Sequence, residues 1–246
     1  MGGVIINNNQ IVPYTPDTSV NYDTWISLDP GDAIAEADPG GILASTTYSG
    51  GEISFDISGT AAANVAHWIF EPKDSRGNVL DAGKFGVAFR VQFPTQPTAG
   101  SNISLLFGWT VGTAWADYHG FGAWFDTTAV GPDMVFYWDA GWLAGPATVA
   151  DADGVLYVFL PPLYWEHGSA RFEPTGGYGA WFRDISGDLG FDANKVRASS
   201  TNNRDFGTDS SNINLFMALG EGNSAETPVA KVEYKIFPIM DQEGLS

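Results

Sequence analysis

The 246 residues carry 11 Lys plus Arg against 29 Asp plus Glu, a formal charge of -18. That balance excludes ordinary nucleic-acid binding, which needs a basic face to displace counterions from phosphates, and it disfavours anionic membrane surfaces. With 44% hydrophobic and 16% charged residues the chain is no disordered acidic tail, and with no Cys it has no disulfide, thiolate metal site or Cys nucleophile.

Taken in chain order, the opening stretch MGGVIINNNQIVPY has no basic region, and its apolar run is too short for a secretory leader. Its Met-Gly start does not complete a myristoylation signal, because Ile6 stands where Ser or Thr is needed. No run of about 18 apolar residues follows, so no spanning helix is expected and the chain reads as soluble. The stretch Asp32–Asp38 is the one place with helical patterning, a turn or two at most, confined by Pro30 and Pro39.

From there the period is two. Ile53, Phe55 and Ile57 alternate with Ser54 and Asp56. Phe85, Val87, Phe89, Val91 and Phe93 alternate with Gly86, Ala88, Arg90 and Gln92, and Pro94 closes the run. Ile103, Leu105, Phe107 and Trp109 point one way, with Ser104, Leu106 and Gly108 on the other side. Near the C-terminus Ile213, Leu215, Met217 and Leu219 share a face, then Val232, Tyr234 and Ile236 alternate with Lys231, Glu233 and Lys235. Weaker strands are expected at 66–70, 120–125, 134–138, 155–160 and 178–182. Between the runs lie turn clusters such as DPGD, DPGG, DSRGN and PTQPTAG. Short strands without helices between them predict an all-β chain, an antiparallel two-sheet β-sandwich. The expected organisation is an N-terminal arm over 1–22, one sandwich domain over 23–240 and a tail over 241–246.

Two segments echo each other: HGFGAWFD (His119–Asp126) and GGYGAWFRD (Gly177–Asp184) share Gly-aromatic-Gly-Ala-Trp-Phe. Two strands meeting the same sheet environment is the simpler account, and a duplicated ligand-binding strand the sharper one.

The runs KFGVAFRVQF and ISLLFGW, the two GAWF strands and the closing pair INLFMALG and VAKVEYKIFPI resemble the concanavalin A-like lectin/glucanase jelly roll over roughly residues 45–240. The resemblance implies two curved antiparallel sheets, an architecture that hosts lectins, glycanases and structural modules alike. The acidic, Cys-free composition, rich in Gly, Asn, Thr and aromatics, also resembles virion proteins of tailed phages.

Catalytic patterns are sparse. Sugar hydrolysis needs two carboxylates facing one cleft, and the Glu-x-Asp-x-Glu strand of lectin-like glucanases is missing; Glu52, Glu71, Glu166, Glu173 and Glu233 stand apart in sequence. Trp165-Glu166-His167 is the nearest substitute and reads more simply as a solvated loop. His67, His119 and His167 follow no metal-site spacing. His67, beside Trp68, is expected to hydrogen-bond at the edge of the core. Asp151-Ala152-Asp153-Gly154 has the oxygen spacing of a loop that clamps a hard cation, so calcium is the one candidate cofactor, with Asp151 and Asp153 as ligands. The full EF-hand template fails at Pro162. Asp184 with Asp188 and Asp29 with Asp32 are similar fragments, and all are also ordinary turn chemistry.

Nine Trp, nine Tyr and 16 Phe exceed what a core of this size requires. Their densest zone is 107–142. There Trp115, Asp117 and Tyr118, and again Trp138, Asp139 and Trp142, combine stacking faces with hydroxyl acceptors, a candidate carbohydrate site. Packing of the same aromatics over the sandwich end or against a neighbouring subunit is the plainer reading. The expectation is therefore a non-enzymatic bacteriophage virion structural protein, a capsid decoration or tail component, with other virion proteins or copies of itself as partners. The alternative is an extracellular or virion-borne lectin module that binds surface glycans, and less so a glycanase or lyase. No nucleic-acid or membrane partner is expected.

Overall fold

Alternation decides which side chains meet, and long-range pairing decides which strands. In the computed structural model the described residues are 4–7, 10–13, 25–59, 65–74, 76–80, 85–98, 101–113, 119–125, 133–138, 141–148, 154–160, 163–166, 171–174, 177–183, 195–198, 212–220 and 225–238. In chain order the strands are β1 (Val4–Asn7), β2 (Gln10–Pro13), β3 (Ile26–Ser27), β4 (Ala35–Ala37), β5 (Leu43–Ser49), β6 (Glu52–Ser58), β7 (Val65–Phe70) and β8 (Phe85–Thr95). They continue with β9 (Ile103–Val111), β10 (His119–Phe125), β11 (Asp133–Trp138), β12 (Gly141–Thr148), β13 (Gly154–Leu160), β14 (Leu163–Glu166), β15 (Arg171–Pro174) and β16 (Gly177–Arg183). The last four are β17 (Lys195–Ala198), β18 (Ile213–Gly220), β19 (Ala225–Glu226) and β20 (Val229–Pro238).

Two large antiparallel sheets form the sandwich. One has seven strands in the order β12-β11-β10-β9-β18-β7-β4. The other has nine, β17-β16-β13-β8-β20-β6-β19, with β3 on β20 and β5 on β6. The all-β jelly-roll sandwich expected from the sequence is the observed fold. β1 pairs with β2, and β14 with β15, as separate two-stranded ribbons.

The core lies between the sheets. Phe89 of β8 stacks on Phe107 of β9 with ring centroids 5.0 Å apart, Phe55 meets Trp68 at 5.7 Å, and Phe85 meets Trp109 at 6.1 Å. Ile53, Phe55, Ile57, Val87, Val91, Ile213, Leu215, Met217, Val232 and Ile236 fill the space around them. Each such side chain removed from water contributes about 1.5–3 kcal/mol before entropy is counted.

The stretch read as helical turns at Asp32–Asp38 divides differently. Pro30–Asp32 is a single 3-10 turn, capped by Asp29, whose side chain accepts from the Gly31 N–H. Ala35–Ala37 then pairs with β7 as an edge strand, Glu36 opposite Trp68. An edge offering free N–H and C=O groups outweighs the helix preference of three short residues.

The echo is also resolved by register. Gly120–Phe125 lies in the seven-stranded sheet and Gly177–Phe182 in the nine-stranded one. Phe121 pairs with Phe107, in a core row, whereas the matching Tyr178 pairs with Phe159 and, through it, with Ala88 on the outward side. By register the two copies are in opposite phase, each in a different sheet; a period of two lets one pattern face either way.

Candidate functional site

The carbohydrate candidates can be placed only by backbone. Trp115, Asp117, Tyr118 and Asp139 lie outside the described residues. Trp138 ends β11 opposite both Gly141 and His119, and Trp142 lies opposite Tyr137. Because His119, the first residue of β10, pairs with both Trp109 near the end of β9 and Trp138 at the end of β11, these strand ends share one end of the seven-stranded sheet. Trp109, in the same aromatic zone, is instead a core residue at 1% exposure, its indole N–H buried without an acceptor among the described residues.

Asp151 and Asp153 lie outside the described residues. Gly154, which follows them, opens β13 opposite Arg183, the last residue of β16. Among the described residues no cluster of three His, Asp or Glu side chains is placed to hold a metal ion. Also among the described residues, no helix is long and apolar enough to cross a membrane.

Several described carboxylates bind their own chain. Both oxygens of Asp38 accept backbone N–H groups, from Ile42 at 2.9 Å and Leu43 at 2.8 Å, closing the DPGG turn. Buried Asp74 accepts from the Arg76 and Asn78 amides and from Asn78 Nδ2, which fixes the DSRGN turn. Glu226 accepts from both the amide and the hydroxyl of Thr98. Glu166, the proposed substitute acid, sits at the end of β14 opposite Arg171 in the ribbon with β15, and His167 lies outside the described residues.

Two titratable groups are shifted. Burial holds His67 below the ordinary imidazole pKa, against an opposing backbone hydrogen bond at Val65. Tyr234 is pushed up to about 12, chiefly by burial; its hydroxyl donates to the Lys73 carbonyl at 2.9 Å.

The surface that sequence reading missed is the outward face of the nine-stranded sheet. Arg90 Nε donates to Glu233 Oε2 at 2.8 Å, with a second contact from its terminal nitrogen, across 143 residues of sequence. The Arg90 guanidinium also lies 4.6 Å over the Trp25 ring, and Lys231 approaches Glu233 at 3.9 Å. Register extends these rows. Lys195, Ala180, Tyr157, Arg90, Glu233 and Ser27 follow one another across six strands. The adjacent row runs Arg197, Tyr178, Phe159, Ala88 and Lys235. The available signal was the polar half of the alternation in KFGVAFRVQF and VAKVEYKIF.

No protein-family model matches the chain, and no curated protein matches its sequence. Among solved structures the chain is similar to the CBM2 module of the evolved Dit of Lactobacillus casei BL23 phage J-1, at 14% identity. That match covers 92% of this chain and 93% of that one with a TM-score of 0.47. It is similar to the exoplasmic/lumenal domain of VIP36 in its Ca2+/Man3GlcNAc-bound form at 11% identity, 80% and 81% coverage and TM-score 0.45. A third similarity is to the alginate lyase from Klebsiella pneumoniae, at 10% identity, 79% and 84% coverage and TM-score 0.41.

Proposed function

We propose that this chain works by binding rather than turnover, as a structural protein of a bacteriophage virion, either a capsid decoration or a tail component. The observation that carries the reading is the ordered polar layer on the outward side of the nine-stranded sheet, where Arg90 lies over Trp25 and binds Glu233, with Lys231 beside it. A broad face with fixed charges suits contact with another macromolecule better than enclosure of a small substrate. The phage assignment itself comes from the compositional resemblance. Mass spectrometry of purified particles tests it: the chain should be found at fixed stoichiometry in intact virions after a high-salt wash. Its recovery only from the unassembled fraction overturns the reading.

A second reading, a lectin module in the virion or outside the cell, draws on the end of the sheet shared by β9, β10 and β11. There Trp115, Asp117, Tyr118, Trp138, Asp139 and Trp142 would supply stacking faces and hydroxyl acceptors for a glycan, with calcium at Asp151 and Asp153 as its cofactor. A glycan array run with calcium and with chelator separates it from the first reading.

A further inference from the structure

We infer that the free edge of β5 pairs with β5 of a second copy, antiparallel and about a two-fold axis at Thr47, so that one sheet runs on from chain to chain. The inference goes beyond the virion reading and does not depend on it. A strand at the rim of a sheet offers unused N–H and C=O groups to other strands, and proteins blunt such rims with short strands, charges or Pro. The other rim strands of the two large sheets follow that rule. β3 and β19 have two residues each and β4 has three, with Glu226 on β19 and Glu36 on β4. β12 carries Pro146, and β17 carries Lys195 and Arg197. β5, LASTTYS, is seven residues long with no charge and no Pro. Among the described residues it pairs with β6 alone; the turn Pro30–Asp32 comes close to it without pairing.

Register decides which groups are free. Gly50 and Gly51, at φ +63° and +85°, form a two-residue turn with Ser49 opposite Glu52. The pair that closes such a turn exchanges both backbone bonds, so alternation spends the groups of Ser45, Thr47 and Ser49 on β6 and points those of Thr46 and Tyr48 to the open side. β6 has the matching phase: Phe55, opposite Thr46, turns its N–H away from β5 to the Pro228 carbonyl, and the Ser58 N–H turns towards β5, to the Ile42 carbonyl. A bulge lies between Leu43 and Ser45, so the regular stretch is Ser45–Ser49 with Thr47 at its middle. That stretch, Ser-Thr-Thr-Tyr-Ser, carries a hydroxyl at every position and is self-complementary. About an axis at Thr47, Ser45 of one copy meets Ser49 of the other, Thr47 meets Thr47, and Thr46 exchanges backbone bonds with Tyr48, the isologous arrangement in which i meets j and j meets i. Hydroxyl pairs opposite each other support an antiparallel ladder. Charge also permits a second copy here, although the chain carries -18 overall. In this register the exposed carboxylates of β6, Asp56 of one copy and Glu52 of the other, stand three strand spacings apart. That is ~14 Å, beyond the ~8 Å screening length at physiological salt. A strand pair this short buries less than the ~1,600 Å² of a standard interface, so the association is weak and reversible.

Sedimentation velocity of the full chain, over a concentration series reaching the millimolar range, should show a reversible monomer–dimer equilibrium. Thr47→Lys and Thr47→Glu each set two like charges opposite each other at the axis, and each should weaken the dimer at least ~10-fold. Mixing the two variants should restore pairing as a one-to-one heterodimer, because Lys then faces Glu across the axis. In the wild type, hydrogen exchange at the Thr46 and Tyr48 amides should slow as concentration rises, while Thr47 and Ser49, already bonded to β6, keep their rates. Thr47 is exposed, circular dichroism confirms the fold of both variants, and the exchange measurement needs no variant. A wild-type chain that stays monomeric, a dimer indifferent to both Thr47 variants, a mixture that does not pair, or exchange at Thr46 and Tyr48 that ignores concentration overturns the inference. Recovery of the chain from virions is unaffected by any of these outcomes, so the two readings fail separately.

Discussion

The two sheets treat their outward faces in opposite ways. On the nine-stranded sheet the outward side around β20 is polar and half-exposed, with Arg90, Gln92, Lys231, Glu233 and Lys235, while Gly86, Ala88 and Val155 beside it are buried. On the seven-stranded sheet the outward residues of β7, β9 and β18 are as buried as the inward ones: Ile69 and Phe216 at 0% exposure, Leu106 at 1%, Ala218 at 0%, and His67 at 6%. Alternation therefore has two meanings in one molecule. In β20 and the second half of β8 it separates core from surface; in β7, β9, β18 and the first half of β8 it separates one buried layer from another. The lesson is that a period of two assigns side chains to faces and leaves the covering of each face to the rest of the fold.

The largest expected effect tests how tightly the covered sheet is built. Gly122 belongs to the outward row that runs through Leu106, Ala218 and His67. A Cβ added there would stand 1.9 Å from the Leu105 carbonyl oxygen, a backbone atom with no rotamer to escape into. Gly122→Ala should cost at least about 3 kcal/mol or abolish folding, since only separation of β9 from β10 makes room. Loss of less than about 1 kcal/mol in urea denaturation would mean that the two strands part easily.

A paired substitution addresses the contrast itself. Phe216→Ala on the covered face should cost about 3 kcal/mol or more, as for any fully buried aromatic truncated to a methyl group. Gln92→Ala, at a half-exposed position on the outward side of the other sheet, should stay within about 0.5 kcal/mol. Similar losses at both positions in chemical denaturation would erase the distinction between the faces.

How far the sequence carried is clearest at particular residues. Phe89 to Phe93 and Val232 to Ile236 were readable because Arg90, Gln92, Glu233 and Lys235 stand between the core residues, so burial and alternation agree, whereas at Phe85 to Val87 the small Gly86 and Ala88 mark the alternation although they are buried. Residues 66–70, AHWIF, gave a weak signal because both faces of β7 are buried and the polar half of the pattern disappears. Ala35–Ala37 was unreadable because its strand conformation is imposed by the free edge of β7, a tertiary cause. At the candidate carbohydrate site, Trp138-Asp139 and Trp142 were visible as a cluster, whereas the pairing of Trp138 with His119 is a matter of register. The basic face was written plainly in Arg90, Lys231 and Lys235, yet Arg90 and Glu233 lie 143 residues apart, and no local pattern reports that they touch.

The smallest effect sharpens the comparison through proton linkage. His67 lies on the covered face between Ala37 and Ala218, and burial lowers its pKa from the ordinary 6.5. The sign follows from where the proton goes: on acidification the unfolded chain takes it up first, near pH 6.5, while the folded chain resists until its lower pKa is reached. Stability from the buried neutral ring is therefore fully present above about pH 6.5 and falls away progressively below it. His67→Gln removes the titration while keeping a polar side chain of similar reach. The gap in urea midpoint between wild type and variant should shift against the wild type as pH drops from 7.5 to 5.5. The difference between the two proteins isolates this ring from His119, His167 and the carboxylates, which titrate in both. A gap that stays constant across that range would place His67 in water in the folded state, and the outward face of β7 would then be exposed like the Lys231–Lys235 side of β20.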